Sequence, residues 1–183
     1  MPSEPSSSSK HLLLLLRALT LLVACTLTIL AAGCRSLNVA AQRGDIVTVR
    51  KLLDRGRDPD QRNWRNSRPL LAAASSGHLD VVKLLVERGA DVDRTGDTFQ
   101  TALHHAVQIG HVEMVKYLLA HGASAKWGLN EAVRAGQVEI ARIFLDRKVD
   151  IDQEGYGGGT PLQWACRAGM RSWRNSCWRT GPR

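Results

Sequence analysis

A chain of 183 residues that is 44% hydrophobic but only 5% aromatic can fill one domain of ordinary size. Its core must be built from Leu, Val, Ala and Ile, which suits small, closely packed helices better than a large sandwich or a cofactor cavity. The net charge of +8 invites a nucleic-acid reading, but its distribution speaks against one. Residues 171–183 carry four Arg and no acid, whereas residues 35–170 hold nineteen Lys and Arg against sixteen Asp and Glu. The local cluster Arg55, Arg57, Arg62, Arg65 and Arg68 reads as a solvated face. Cys25, Cys34, Cys166 and Cys177 form neither a CxxC pair nor a zinc spacing.

The chain opens with a leader. Residues 1–10 are polar, Leu12–Leu16 is apolar, Arg17 interrupts, and Ala18–Gly33 is uncharged. Sixteen residues fall short of the about 20 that a membrane span needs and match a signal-peptide core. Residues 1–33 are therefore expected to stand apart from the folded domain. Leu30-Ala31-Ala32-Gly33-Cys34 resembles the lipobox of bacterial lipoproteins, with Ala31 in place of the usual Leu. That resemblance implies a diacylglyceryl group on the thiol of Cys34, which would become the new N-terminus. Ala31-x-Gly33 also satisfies an ordinary secretory cleavage site, and an uncleaved single-pass anchor is a third reading. Leu37 follows Cys34 by three residues, so a lipid there leaves no tether unless the first helix pair frays.

Beyond the leader the chain repeats itself. Gly44, Gly77, Gly110, Gly136 and Gly169 are spaced by 33, 33, 26 and 33 residues. Seven places before each stands Leu37, Leu70, Leu103, Leu129 or Leu162, and four places before each stands Ala40, Ala73, Ala106, Ala132 or Ala165. Leu and Ala at i and i+3 give a short inner helix one narrow apolar face, and the small Ala admits a close neighbour. The glycines then permit a tight turn with positive φ. A second amphipathic helix follows, as in Val81–Leu85 and Met114–Leu119, and ends at Gly56, Gly89 or Gly122.

Ser76–Asp93, Thr101-Ala102-Leu103-His104 and Thr160-Pro161-Leu162-Gln163 resemble the ankyrin repeat family. The resemblance covers about residues 36–170. It implies an all-α solenoid of helix–turn–helix repeats with short β-hairpin fingers, at about 36–60, 61–93, 94–125, 126–152 and a truncated 153–170. Partners in this family bind the fingers and the concave inner-helix face. The Thr residues are expected to cap the inner helices, and Thr160 with Gln163 has capping-box spacing. No single unit buries its own apolar face, so stability is expected to come from nearest-neighbour contacts.

Several repeats depart from this pattern. Repeat two has Arg68 in place of Thr and Asn66 in place of the finger Gly, which puts Trp64 and Arg65 near that finger's tip. Asn tolerates positive φ. Repeat three has Phe99 at the finger Gly, with Asp97 and Thr98 beside it. Repeat four is seven residues shorter, with no room for a finger. Repeat five has a Gly-rich finger at Gly155–Gly159, but no GK[ST] follows to make a phosphate loop. His104, His105, His111 and His121 cluster in repeat three, and a metal-binding or catalytic use of them is the minor alternative. His104 and His111 match places where the family uses His structurally.

The pattern stops after Met170. With a choice among synonymous codons, one extra G before residue 171 turns the tail into Glu-Val-Val-Glu-Glu-Leu-Leu-Leu-Ala-His-Gly-Ala-Pro. The Leu-Leu pair then falls seven and eight places after Gly169, as Leu84-Leu85 does after Gly77. Residues 171–183 read either as a frameshifted ending or as a basic tail. In the first case Ile140, Ile143 and Phe144 should be poorly covered and the C-terminal end should fray first.

Together these features predict a non-enzymatic, extracytoplasmic protein-binding scaffold. Its localisation is membrane-associated or secreted/periplasmic, with attachment through the Cys34 lipid or the leader. The candidate partner-binding residues are Trp64, Arg65, Asp97, Thr98 and Phe99. No cofactor, metal, catalytic residue or nucleic-acid partner is expected; the partner is an unidentified protein, and the chain is read as a monomer.

Overall fold

The computed structural model describes residues 36–63, 66–97, 99–155 and 158–167. The leader, the lipid position Cys34, the finger residues Trp64, Arg65 and Thr98, and the tail from residue 168 lie outside them.

Nine helices and no strand are found among the described residues. They alternate as inner and outer members of successive pairs. The first pair is α1 (Leu37–Gln42) and α2 (Ile46–Asp54), followed by α3 (Pro69–Ser75) and α4 (Leu79–Glu87). Next come α5 (Ala102–Gln108) with α6 (Val112–Ala120), α7 (Gly128–Arg134) with α8 (Val138–Asp146), and finally α9 (Pro161–Arg167). Each of the first four pairs packs on itself. The inner helices α1, α3, α5, α7 and α9 stack in sequence, and the outer helices α2, α4, α6 and α8 stack beside them. The first pair is fully helical, with α1 beginning at Leu37.

The recurring glycine is explained by hydrogen bonding. The Asp45 N–H reaches the Ala40 carbonyl at 3.0 Å, and the Gly44 N–H reaches Ala41 at 3.2 Å. This is a Schellman closure, and it requires a left-handed residue at its penultimate position. His78 to Ala73, His111 to Ala106 and Gln137 to Ala132 repeat the longer bond. Gly44, Gly77, Gly110 and Gly136 accordingly sit at φ 72°, 79°, 76° and 73°. The outer helices close likewise, and here the fourth repeat departs: Lys148 takes the left-handed place of Gly56, Gly89 and Gly122, at φ 55°.

Leu37, Leu70, Leu103 and Leu129 join the Ala row in one continuous core running from Leu37 to Ala165. Outer helices contribute Val49, Val82, Val115 and Ala141, all fully buried. Repeat four closes tightly because Gly128 has no side chain: a Cβ there would overlap the ring of Phe144. Ile140 and Phe144 are fully buried and Ile143 is half-buried, so the expectation that this helix would be poorly covered is not met. The Phe144 ring turns inward onto the start of α7 at Gly128.

Two further expectations are corrected. The fingers are not β-hairpins among the described residues. They are turns closed by isolated bonds, such as Asn66 N–H to Asn63 O at 2.9 Å, Asn63 N–H to Ser67 O at 3.0 Å and Gly155 N–H to Gly159 O at 3.1 Å. Side chains take the loop carbonyls that a strand ladder would use. Arg68, read from sequence as part of a solvated basic face, is buried. Its Nη1 donates to the Asp60 carbonyl at 2.7 Å and its Nε to the Thr95 carbonyl at 3.2 Å. Arg55, Arg57 and Arg62 are exposed as expected.

Candidate partner-binding surface

The loops that join one pair to the next are held by bonds between repeats. Asp58, Asp91 and Asp150 each accept the backbone N–H two residues on, at 2.8, 3.1 and 2.9 Å. These Asx turns recur in register and set the loop direction. The Asp60 carboxylate accepts the Asp91 N–H at 3.3 Å, and the Asp93 carboxylate accepts the Ser124 N–H at 2.8 Å. Both bonds span 31 residues and tie each loop to the next. Lys126 stands where a third such Asp would be, and its Nζ lies 4.8 Å from the centroid of the Trp127 ring instead. The ladder therefore ends at the shortened repeat.

A second set of ties runs from the inner helices. Asn38 Nδ2 donates to the Gln61 carbonyl at 3.3 Å, and Asn130 Nδ2 donates to Gln153 at 2.6 Å. Both cover 23 residues and both side chains are buried. Thr101 caps α5 as expected and forms a capping box with His104, whose Nδ1 accepts the Thr101 N–H at 3.3 Å. Thr160 and Gln163 do the same at the start of α9, at 3.2 and 3.4 Å. Arg68 replaces the Thr of repeat two and clamps the loop before α3 to the loop after α4.

This framework presents two finger positions in the left-handed region, Asn66 at φ 50° and Phe99 at φ 55°. Asn66 donates to the carboxylate of Asp97, tying the second finger to the third. Phe99 leaves 72% of its surface exposed. Holding a bulky non-glycine residue at positive φ costs on the order of 1 kcal/mol, a strain that collects at functional positions. Of the candidate finger residues, the structure thus brings Asp97 and Phe99 to one loop, with Asp97 engaged by Asn66.

Sequence reasoning did not single out Ile109, which is exposed at the end of α5. It lies one place before a turn glycine, where the other repeats have Arg43, Ser76, Ala135 and Ala168. Comparing those pre-glycine positions would have found it. Repeat three therefore exposes two large apolar side chains, Phe99 and Ile109.

The histidines of that repeat have separate structural tasks. His104 caps α5, His111 Nδ1 accepts the Met114 N–H at 3.3 Å to cap α6, and His121 Nδ1 lies 2.9 Å from the Tyr117 carbonyl. Burial pushes the His104 imidazole below its ordinary value, with His105 adding to that and Glu131 and Asp93 opposing it. Burial lowers His105 as well. Among the described residues no three His, Cys, Asp or Glu side chains converge as metal ligands, and no helix is long and apolar enough to cross a membrane.

A family model described as ankyrin repeats (3 copies) matches residues 37–127. The match ends at the start of the shortened fourth repeat, and α7, α8 and α9 continue the same stacking beyond it. No curated protein matches the sequence.

Proposed function

We propose that this chain, whose residues 37–127 match the ankyrin repeat model, is a protein–protein interaction module whose partner sits on the loop edge of repeats two and three. The observation that carries the proposal is Phe99, a large apolar side chain held exposed at positive φ on a loop braced by Asn66 and Asp97. An aromatic anchor surrounded by fixed polar groups is the usual make-up of a binding hot spot. Trp64, Arg65 and Thr98 belong to the same two fingers by sequence. The shortened fourth repeat bounds this edge.

The proposal also places the module outside the cytoplasm, held to a membrane by a lipid on Cys34. The Leu30–Cys34 pattern supports that reading. The helical first pair, starting three residues after Cys34, makes the stack membrane-proximal under it. Intact-mass analysis of the mature N-terminus tests the lipid: an unmodified thiol or an uncleaved leader rejects it.

Binding is tested with the tagged full-length chain, comparing captured proteins between wild type, Phe99→Ala and Trp64→Ala. A partner retained by wild type and lost from either variant supports the surface. Equal capture by all three rejects it.

A further inference from the structure

The end of the stack breaks the symmetry of the core. Leu37, Leu70, Leu103 and Leu129 expose 4, 2, 1 and 2% of their surface, while Leu162, at the same place in α9, exposes 41%. Four residues on, Ala41, Ala74, Val107 and Val133 are completely buried, while their counterpart Cys166 is exposed. The rest of α9 keeps the inner-helix pattern. Pro161 and Ala165 are buried, the capping box is formed, and the helix packs on α7. Among the described residues, every other inner helix packs on an outer helix of its own repeat, and none is described after α9.

We propose that the Leu162–Cys166 face of α9 is a docking slot for a short amphipathic helix of a partner protein. The occupant continues an interface that the stack already builds four times. Its chemistry can be read from α2, α4, α6 and α8, counting from the preceding turn glycine. Position five is Val49, Val82, Val115 or Ala141, and position eight is Leu52, Leu85, Leu118 or Phe144; every one of them is buried. Position four is Val81, Met114 or Ile140 in the last three, again buried, and Thr48 in the first. The partner helix must therefore carry aliphatic side chains at two consecutive positions and again three residues later, with polar residues on its other face. The chain's own sequence after Gly169 puts Arg174 at position five. That position is buried in every outer helix of the stack, and a guanidinium there would lose its water, which disfavours that segment as the occupant.

The slot is separate from the finger edge, so its test is independent of that reading. The probe is a synthetic peptide of residues 110–123, the outer helix of repeat three, added to the full-length protein. The readout is the rate of Cys166 alkylation by iodoacetamide, with mass spectrometry resolving Cys166 from Cys25, Cys34 and Cys177. Without peptide, Cys166 should react within severalfold of a free thiol. Saturating peptide should slow it at least tenfold. Leu162→Asp in the protein, or Val115→Asp with Leu118→Asp in the peptide, should remove the protection; the second control leaves the protein untouched. Phe99→Ala should keep it.

Slow alkylation before peptide is added would mean that the chain's own residues or a second copy already cover the face, and overturns the proposal. So does an absence of protection at saturating peptide, or protection that survives Leu162→Asp.

Discussion

Gly128 and Phe144 form a matched pair: the missing side chain of the first is the space occupied by the ring of the second. The ring is fully buried, and Gly128 opens α7 directly after Trp127, with no finger between. The seven-residue shortening of repeat four is thus accommodated by close approach of α8 to the start of α7. Gly128→Ala should force the ring or the helix to move, at a cost of about 2 kcal/mol, the usual scale of overpacking in a filled core. The urea midpoint reports the loss. Combining it with Phe144→Leu should recover part of it, and strictly additive losses would show that the two residues do not share the space.

Lys148 should be a site of easy stabilisation. It adopts φ 55° where three equivalent residues are glycine, and a Cβ at Gly56, Gly89 or Gly122 would meet nothing within 4 Å. The cost at Lys148 is therefore in the backbone alone. Lys148→Gly should raise stability by about 1 kcal/mol, less the extra chain entropy that glycine brings to the unfolded state. A lower urea midpoint for this variant would mean that the lysine side chain contributes more than its backbone strain costs.

Arg68 and Arg62 stand six residues apart in one basic run but should behave differently. Arg68 is buried and donates to Asp60 O and Thr95 O, and Arg62 is exposed. Arg68→Ala leaves two carbonyls without that donor and removes the tie between successive loops. It should cost about 2 kcal/mol, while Arg62→Ala should stay within about 0.5 kcal/mol of wild type. Thermal melts of the two variants side by side check this, and equal shifts would return Arg68 to the solvated face.

The residues that are legible in the sequence are those whose backbone geometry has one cheap solution. The Schellman closures demand a left-handed residue, so the spacing of Gly44, Gly77, Gly110 and Gly136 is enough to mark the repeat. The Leu and Ala rows follow from the same register. Lys148, Asn66 and Phe99 meet the same backbone demand with other side chains, and only their offset from the glycines reveals them. Arg68 is hidden because a charge run looks alike whether its members face water or carbonyls. The loop ladder is readable in principle, since Asp58 and Asp60 recur as Asp91 and Asp93, 33 residues later. Ile109 carries no motif and is found only by comparing exposed positions between repeats.

Stability should fall as the solution becomes mildly acidic. Burial lowers the imidazoles of His104 and His105 from the ordinary value of 6.5, so both stay neutral in the folded chain when the unfolded chain begins to protonate. Stability from this source is complete above pH 6.5. It declines as pH drops below that value, until the folded-state imidazoles also take up protons. The Thr101 N–H bond to His104 Nδ1 points the same way, because a protonated ring has no lone pair there to accept it. Urea midpoints between pH 8 and pH 5 should show the decline, and His105→Gln should flatten part of it. A midpoint independent of pH in both proteins would remove the two histidines from the account.

Phe99 separates stability from binding. Its ring is mostly exposed and its backbone sits at φ 55°, so the fold bears the strain of holding it. Phe99→Gly should leave stability unchanged or raise it by up to about 1 kcal/mol, while weakening partner capture. Phe99→Ala keeps a Cβ at positive φ and should gain nothing in stability. If the ring is the anchor, both variants lose capture to the same degree. If the rigid loop is what the partner reads, alanine should retain most of it and glycine should not. A marked loss of stability in the glycine variant, on a melt followed by far-ultraviolet circular dichroism, would show that the ring holds the loop together. Phe99 would then be a packing residue of the finger, and the binding surface would have to be sought around Ile109.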